Sequence, residues 1–230
     1  MARPGAGSVD VDVLARANTL CEAPTMLLSA LVAGLALLSA SPTSAQQMKN
    51  MPQVVFDSGT PPAQGGTNGY DVNKDQMVAW RFFNNIVGAL DHLELWFMTN
   101  TGVGEQPTIN VALHEGSEKL PTVNGTLQPA MESWSDVIVN TVGWAPVLIE
   151  LNSTEPHPNL DHSKFYWIVA TSEAVAQADP VWAQSNTRAF GSIANNIGGG
   201  DMKWQAGGFT QGAACKVVVA NNPTPIAGEH

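Results

Sequence analysis

Cysteine is almost missing from this chain. Its 230 residues hold two, Cys21 and Cys215, too few for a disulfide framework or a thiolate zinc cluster. Positive charge is also scarce: 10 Lys and Arg stand against 20 Asp and Glu, a formal net charge of −10. The basic residues are scattered singly, so no basic face exists to neutralise phosphates, and nucleic acid is excluded as a partner. No apolar run reaches the ~20 residues a membrane span needs. Outside residues 27–38 no window carries a 3.6-residue apolar period, which excludes a helical bundle. A G-x-S-x-G nucleophile elbow is missing, and Gly198-Gly199-Gly200 is followed by Asp201 rather than Lys-Ser/Thr, so it is no phosphate loop; it reads as a flexible loop.

What is present begins with Leu27–Leu38, an uncharged apolar block. Small and turn-forming residues follow it and end in Thr43-Ser44-Ala45. That is the layout of a secretory signal, an apolar core of about 7–15 residues before a small-x-small cleavage site. The expected organisation is a signal peptide with an extended n-region over 1–45, forming a signal helix, a linker over 46–53, one β-domain over 54–220 and a disordered tail over 221–230. Cleavage near Ala45 sends the protein outside the cytoplasm, secreted, periplasmic or on the cell surface. Three acids and two bases fall in residues 1–45, which leaves 17 acidic against 8 basic residues in the exported part. Cys215 is then its single cysteine, and the alternation of Cys215, Val217 and Val219 around Lys216 predicts a buried structural thiol.

The rest of the chain reads as short β-runs punctuated by Gly, Pro, Asn and Asp. Runs are expected at 54–58, 76–82, 89–97, 108–114, 136–140, 147–151, 164–170, 181–185, 188–192, 202–205 and 214–220. In 89–97 the alternation places Asp91, Leu93, Leu95 and Phe97 on one face and His92, Glu94 and Trp96 on the other. In 108–114 Ile109, Val111 and Leu113 point inward, Asn110, Ala112 and His114 outward. Residues 164–170 are apolar on both faces, as in a strand covered on both sides. The predicted core includes Leu93, Leu95, Val111, Leu113, Phe165, Trp167 and Val169. This pattern predicts an all-β fold, a single jelly-roll-like β-sandwich.

Three ordered segments carry a resemblance: ALDHLELWF, then TINVALHEGSEKLPTVNGTL, then LDHSKFYWIVATSEAVAQADPVWAQS with GGDMKW downstream. Together they resemble the choice-of-anchor domains of exported bacterial proteins over about residues 54–219. Tyr166-Trp167 matches the family's Tyr-Trp pair, Trp182 its lone tryptophan and Trp204 the last one. The family's turn glycine has no counterpart in Leu160-Asp161-His162-Ser163. The resemblance implies export and a β-sandwich and implies no particular activity.

Candidate chemistry is sparse. Asp71-x-Asn73-x-Asp75 places oxygen ligands at positions 1, 3 and 5 of a loop, as in calcium-binding loops. Gln76 stands where that pattern wants Gly and Phe82 where it wants Glu, so a plain solvated turn is the competing reading and no cofactor is otherwise expected. His157 and His162, beside Glu155 and Asp161, follow no zinc spacing. His92 and His114 lie on outward faces of consecutive strands and would approach each other if those strands paired. Glu94, Glu115 and Glu150 are too scattered to nominate a glycosidase pair. Seven tryptophans are available, and an exposed one on a flat sheet stacks on sugar rings. Trp96, with His92 and Glu94 on the same polar face, is the ligand-binding candidate.

These residues point to a secreted, non-catalytic β-sandwich protein with a structural or adhesive role in a bacterial envelope or extracellular matrix. Its expected partners are an extracellular polysaccharide or an envelope protein. A carbohydrate-binding module using Trp96 is the alternative, and a hydrolase of unlocated site the third reading.

Overall fold

The computed structural model describes residues 51–62, 68–99, 106–141, 143–175, 180–187, 190–197 and 204–220. The signal segment, most of the linker, the Gly198–Gly200 loop and the tail lie outside them. The described residues contain strands and no helix. In chain order these are β1 (Gln53–Asp57), β2 (Gly69–Asp71), β3 (Gln76–Asn84), β4 (Gly88–Thr99) and β5 (Thr108–Gly116). Next come β6 (Thr122–Val123), β7 (Thr126–Leu127), β8 (Ala130–Ile138), β9 (Val147–Asn152) and β10 (Asn159–Leu160). The last five are β11 (Lys164–Thr171), β12 (Pro180–Ala183), β13 (Phe190–Ile197), β14 (Trp204–Gln211) and β15 (Cys215–Ala220).

Two antiparallel sheets form a β-sandwich. The seven-stranded sheet runs β1-β15-β4-β12-β2, with β9 and β10 also paired to β4. The six-stranded sheet runs β14-β13-β3-β11-β5-β8. The chain changes sheet at β2→β3, β3→β4, β4→β5, β8→β9, β10→β11, β11→β12, β12→β13 and β14→β15, so many neighbours in sequence face each other across the core.

That core follows from alternation. Leu93, Leu95 and Phe97 of β4 are fully buried and pack with Val78, Trp80 and Phe82 of β3, Ile109, Val111 and Leu113 of β5, and Tyr166 and Ile168 of β11. Each such side chain contributes about 1.5–3 kcal/mol by leaving water. Phe56 of β1 stacks 5.6 Å from Phe82 across the two layers, while Phe82 and Tyr166, and Phe97 and Trp182, each 5.5 Å apart, join neighbouring strands within a sheet. Asp91 departs from its expected place on the apolar face. Val218 opposes His92 and Val219 opposes Leu90, so Asp91 is the extra residue of a β-bulge, and Leu90 and Leu93 both enter the core.

β11 is covered on both faces as its composition requires. Tyr166, Ile168 and Ala170 meet the main core, while Trp167 and Val169 belong to a second cluster with Ala79 and Ala194, covered by Leu120 and Trp204. Of the expected core, Phe165 alone is only half-buried; it leans on Phe83 at 4.9 Å under the Arg81 guanidinium. The strand expected at 136–140 in fact runs over Ala130–Ile138. Its polar opening, AMESWS, hides it because β8 is the edge of its sheet and needs little apolar side chain.

The β6–β7 hairpin turns at Asn124 and Gly125, with φ of 52° and 80°. This is the two-residue turn with both central residues left-handed, for which Asn-Gly is the preferred pair. The hairpin hangs on β5 through His114, whose Nδ1 lies 2.7 Å from the Gln128 carbonyl oxygen.

Candidate functional site

β4 crosses the middle of the seven-stranded sheet, and side chains paired across neighbouring strands share a face. Its solvent side therefore carries rows that span three strands. Asn152 of β9 opposes His92, and Val218 of β15 opposes His92 from the other side. Glu150 and Lys216 flank Glu94 in the same way, and Leu148 opposes Trp96. His92, Glu94 and Trp96, singled out in the sequence, are thus brought together on one face of the sheet.

The electrostatics of this face are built around Glu94. Lys216 Nζ donates to Glu94 Oε2 at 2.7 Å, and His92 Nε2 lies 3.5 Å from Glu94 Oε1. His92 Nδ1 is held at 2.6 Å by Asp91 Oδ2, the bulge residue. Partial burial pushes the Glu94 carboxyl up, but Lys216 and His92 together outweigh it and hold the group below its ordinary value. Glu94 is therefore a fixed anion and acceptor. The directly opposed Glu150 supplies a second carboxylate, but a glycosidase needs one member of its pair held protonated. Glu94, held below its ordinary value, does not fit that role. Glu115, the third acid considered, lies in the other sheet and binds Lys164 at 3.0 Å.

Trp96 is half-buried. Its ring borders a shallow cleft of about 170 Å³ walled by Thr60, Pro61, Pro62 and Pro146. The exposed Leu148 lies beside it. The face thus joins an apolar end at Trp96 and Leu148 to a hydrogen-bonding end at His92, Glu94, Glu150 and Asn152. That combination suits a ligand with flat C–H faces and hydroxyl edges. Of the other tryptophans, Trp80, Trp167 and Trp182 are buried and Trp144 is exposed.

The calcium candidate divides between two elements. Asp71 ends β2, while Asn73, Lys74 and Asp75 turn the chain into β3. Asn73 Oδ1 accepts the Asp75 N–H at 3.0 Å, an Asx-type contact, and Lys74 Nζ bonds Asp75 Oδ2 at 2.5 Å. Both contacts serve the turn itself. Among the described residues no three His, Cys, Asp or Glu side chains converge as a metal site would need. His162 bonds its neighbour Ser163.

His92 and His114 do not meet: β4 and β5 belong to different sheets, so their outward faces look away from each other. Their approach requires β4 and β5 to pair, which the crossing between layers prevents.

A polar cluster that the sequence does not announce sits after β9. Ser153 Oγ donates to Glu132 Oε2 at 2.6 Å and lies 3.0 Å from His157 Nδ1, while His157 Nε2 lies 3.1 Å from Glu155 Oε1. The order Ser-His-Glu resembles a triad, but the serine hydrogen is already given to Glu132. The nearby amides of Ser153 and Thr154 are spent on the Asp91 carbonyl and on Glu132 Oε1. The cluster clamps the loop between β9 and β10 and leaves no oxyanion donor in those amides.

A second surface was missed by sequence reasoning. On the outer face of the six-stranded sheet a groove of about 190 Å³ opens over Ala112, between Met77, Val169 and Leu127. His114, 5% exposed, also lines it. Burial pushes the His114 imidazole below its ordinary value, against the Gln128 carbonyl that pulls it up. The one sequence signal was the outward row Asn110, Ala112, His114, whose small middle residue leaves the space. The walls come from strands far apart in the chain.

No protein-family model matches this chain, and no curated protein matches it either. Among the described residues no helix is long and apolar enough to cross a membrane.

Proposed function

We propose that this chain is an exported, non-catalytic β-sandwich with an adhesive role in a bacterial envelope or matrix. It holds extracellular polysaccharide against the outer face of its seven-stranded sheet. The observation that carries the reading is the row Trp96, Glu94, His92 on β4, continued by Leu148, Glu150 and Asn152 on β9. It presents one stacking ring beside acceptors already fixed by Lys216 and Asp91. The signal-like segment 27–45 supports export, and the likeness to choice-of-anchor domains supports a surface role without chemistry. Side chains that are held before binding lose less entropy when a ligand arrives.

Affinity electrophoresis through gels cast with a panel of polysaccharides tests it. The protein should be retarded by at least one glycan, Trp96→Ala should run unretarded, and Ile197→Ala, altered at an exposed side chain on the other sheet, should behave as the parent. No retardation by any glycan, or equal retardation of Trp96→Ala, contradicts the reading.

A further inference from the structure

The groove over Ala112 differs in kind from the Trp96 face. Its walls are carbon almost throughout, from Met77, Ala112, Leu127 and Val169, and they come from β3, β5, β7 and β11. Antiparallel register explains why space is left. Ala79 of β3, Val169 of β11, Ala112 of β5 and Ser133 of β8 lie opposite one another in succession. This row of small side chains runs across the sheet. On one side stands the row of Arg81, Trp167 and His114, also in register. The trough is therefore written into the pairing and does not depend on a loop.

Asn110, Ser133, Ser135 and Thr171 also border the groove, and His114 is the one polar side chain of its lining that is buried. His114 is nine-tenths buried or more, and its Nδ1 is committed to the Gln128 carbonyl. A carbonyl only accepts, so Nδ1 carries the hydrogen and Nε2 of the neutral ring is an acceptor. The contact to Gln128 is the hydrogen bond that holds this ring, and Nε2, which is not among the buried unpaired atoms, stays open to a donor from outside. Burial favours the neutral ring, which keeps that acceptor in place at neutral pH.

We propose that this groove is a binding site for a small, uncharged single-ring molecule bearing one hydroxyl, such as a phenol, with its ring on Ala112 and Val169 and its O–H donated to His114 Nε2. Three features select this class. The volume falls below the ~300–1,000 Å³ of clefts that take drug-sized molecules, so one ring fits and two do not. The carbon walls reject a sugar, whose several hydroxyls would lose water and find few partners. The neutral acceptor rejects a carboxylate, which would bring a second lone pair to it. The site is independent of the Trp96 face, which lies on the other sheet.

The test is a titration of the ¹⁵N-labelled protein with phenol, toluene and glucose, followed by backbone and imidazole resonances. Phenol should shift Ala112, Val169 and Leu127 saturably in the millimolar range, and should move the His114 Nε2 resonance as it accepts a hydrogen bond. Toluene should bind about tenfold more weakly, the worth of one neutral hydrogen bond, without moving Nε2. Ala112→Leu, which fills the trough from the solvent side, should keep the folded spectrum and abolish the shifts. The proposal is overturned if phenol causes no saturable shift there, if toluene matches phenol, if glucose binds more tightly, or if folded Ala112→Leu binds phenol as the parent does.

Discussion

Single residues show how little of this fold depends on covalent staples. Cys215 is fully buried, and burial pushes its thiol up to about 12. It is anchored by Ser58, whose Oγ accepts the Cys215 N–H at 2.8 Å and donates to the Ala213 carbonyl at 2.6 Å. The Ser58 N–H in turn reaches the Cys215 carbonyl at 2.9 Å. One hydroxyl thus pins β1 to β15 from inside. Ser58→Ala should cost about 1–3 kcal/mol, the penalty of buried groups left unpaired, read from urea unfolding. The Cys215 thiol should ignore thiol reagents at pH 8 in the native protein and react only on unfolding; prompt reaction in the folded state would contradict its placement. His114 gives a pH signature. Its folded value is lowered from 6.5, so between the two values the unfolded chain binds more protons. Its contribution is present above about pH 6.5 and is lost as pH falls toward the lowered folded value. His114→Gln should flatten that part of the stability–pH curve; an unchanged slope would assign it to other groups.

At the scale of elements, strands with a clear apolar pattern are legible in the sequence. β4, β5 and β15 follow from alternation, and β11 from an apolar run covered on both faces. β8 was displaced in the sequence reading because an edge strand with MESWSD offers no period. β2, β6, β7 and β10 have only two or three residues each, too short for any pattern to appear. The bulge at Asp91 was illegible for another reason: it is a property of the pairing with β15, which no single strand encodes. Trp96, Glu94 and His92 were found because one strand holds all three. Leu148 and Glu150, their neighbours on β9, were not, and neither was the groove on the other sheet, because register across distant strands makes both. Leu95 tests the register of β4. It is fully buried opposite Cys215 and Ile149, so Leu95→Ala should lower stability by about 2–5 kcal/mol. Glu94→Ala should cost much less, since it faces solvent and loses a partly screened pair. The reverse order would mean a one-residue slip, which exchanges the two faces.

At the scale of the whole molecule, two sheets with one shared core leave two outer faces with different chemistry. One is charged and aromatic; the other holds a largely apolar trough with one buried histidine in its lining. Export is the condition for the proposed role, and the proposed cleavage falls at the Thr43-Ser44-Ala45 end of the apolar block. N-terminal sequencing of protein recovered from outside the cytoplasm should begin at Gln46, and a mature protein that keeps residue 30 would contradict it. The claim that joins sequence, fold and function is that the solvent face of β4 and β9 is the glycan-binding surface. The most direct measurement is a ¹⁵N NMR titration with a soluble oligosaccharide cut from whichever polysaccharide retards the protein. Saturable shifts should cluster on His92, Glu94, Trp96, Leu148 and Glu150, with Ala112 and Val169 unmoved. Shifts confined to the opposite sheet, or none at saturating oligosaccharide, would contradict it.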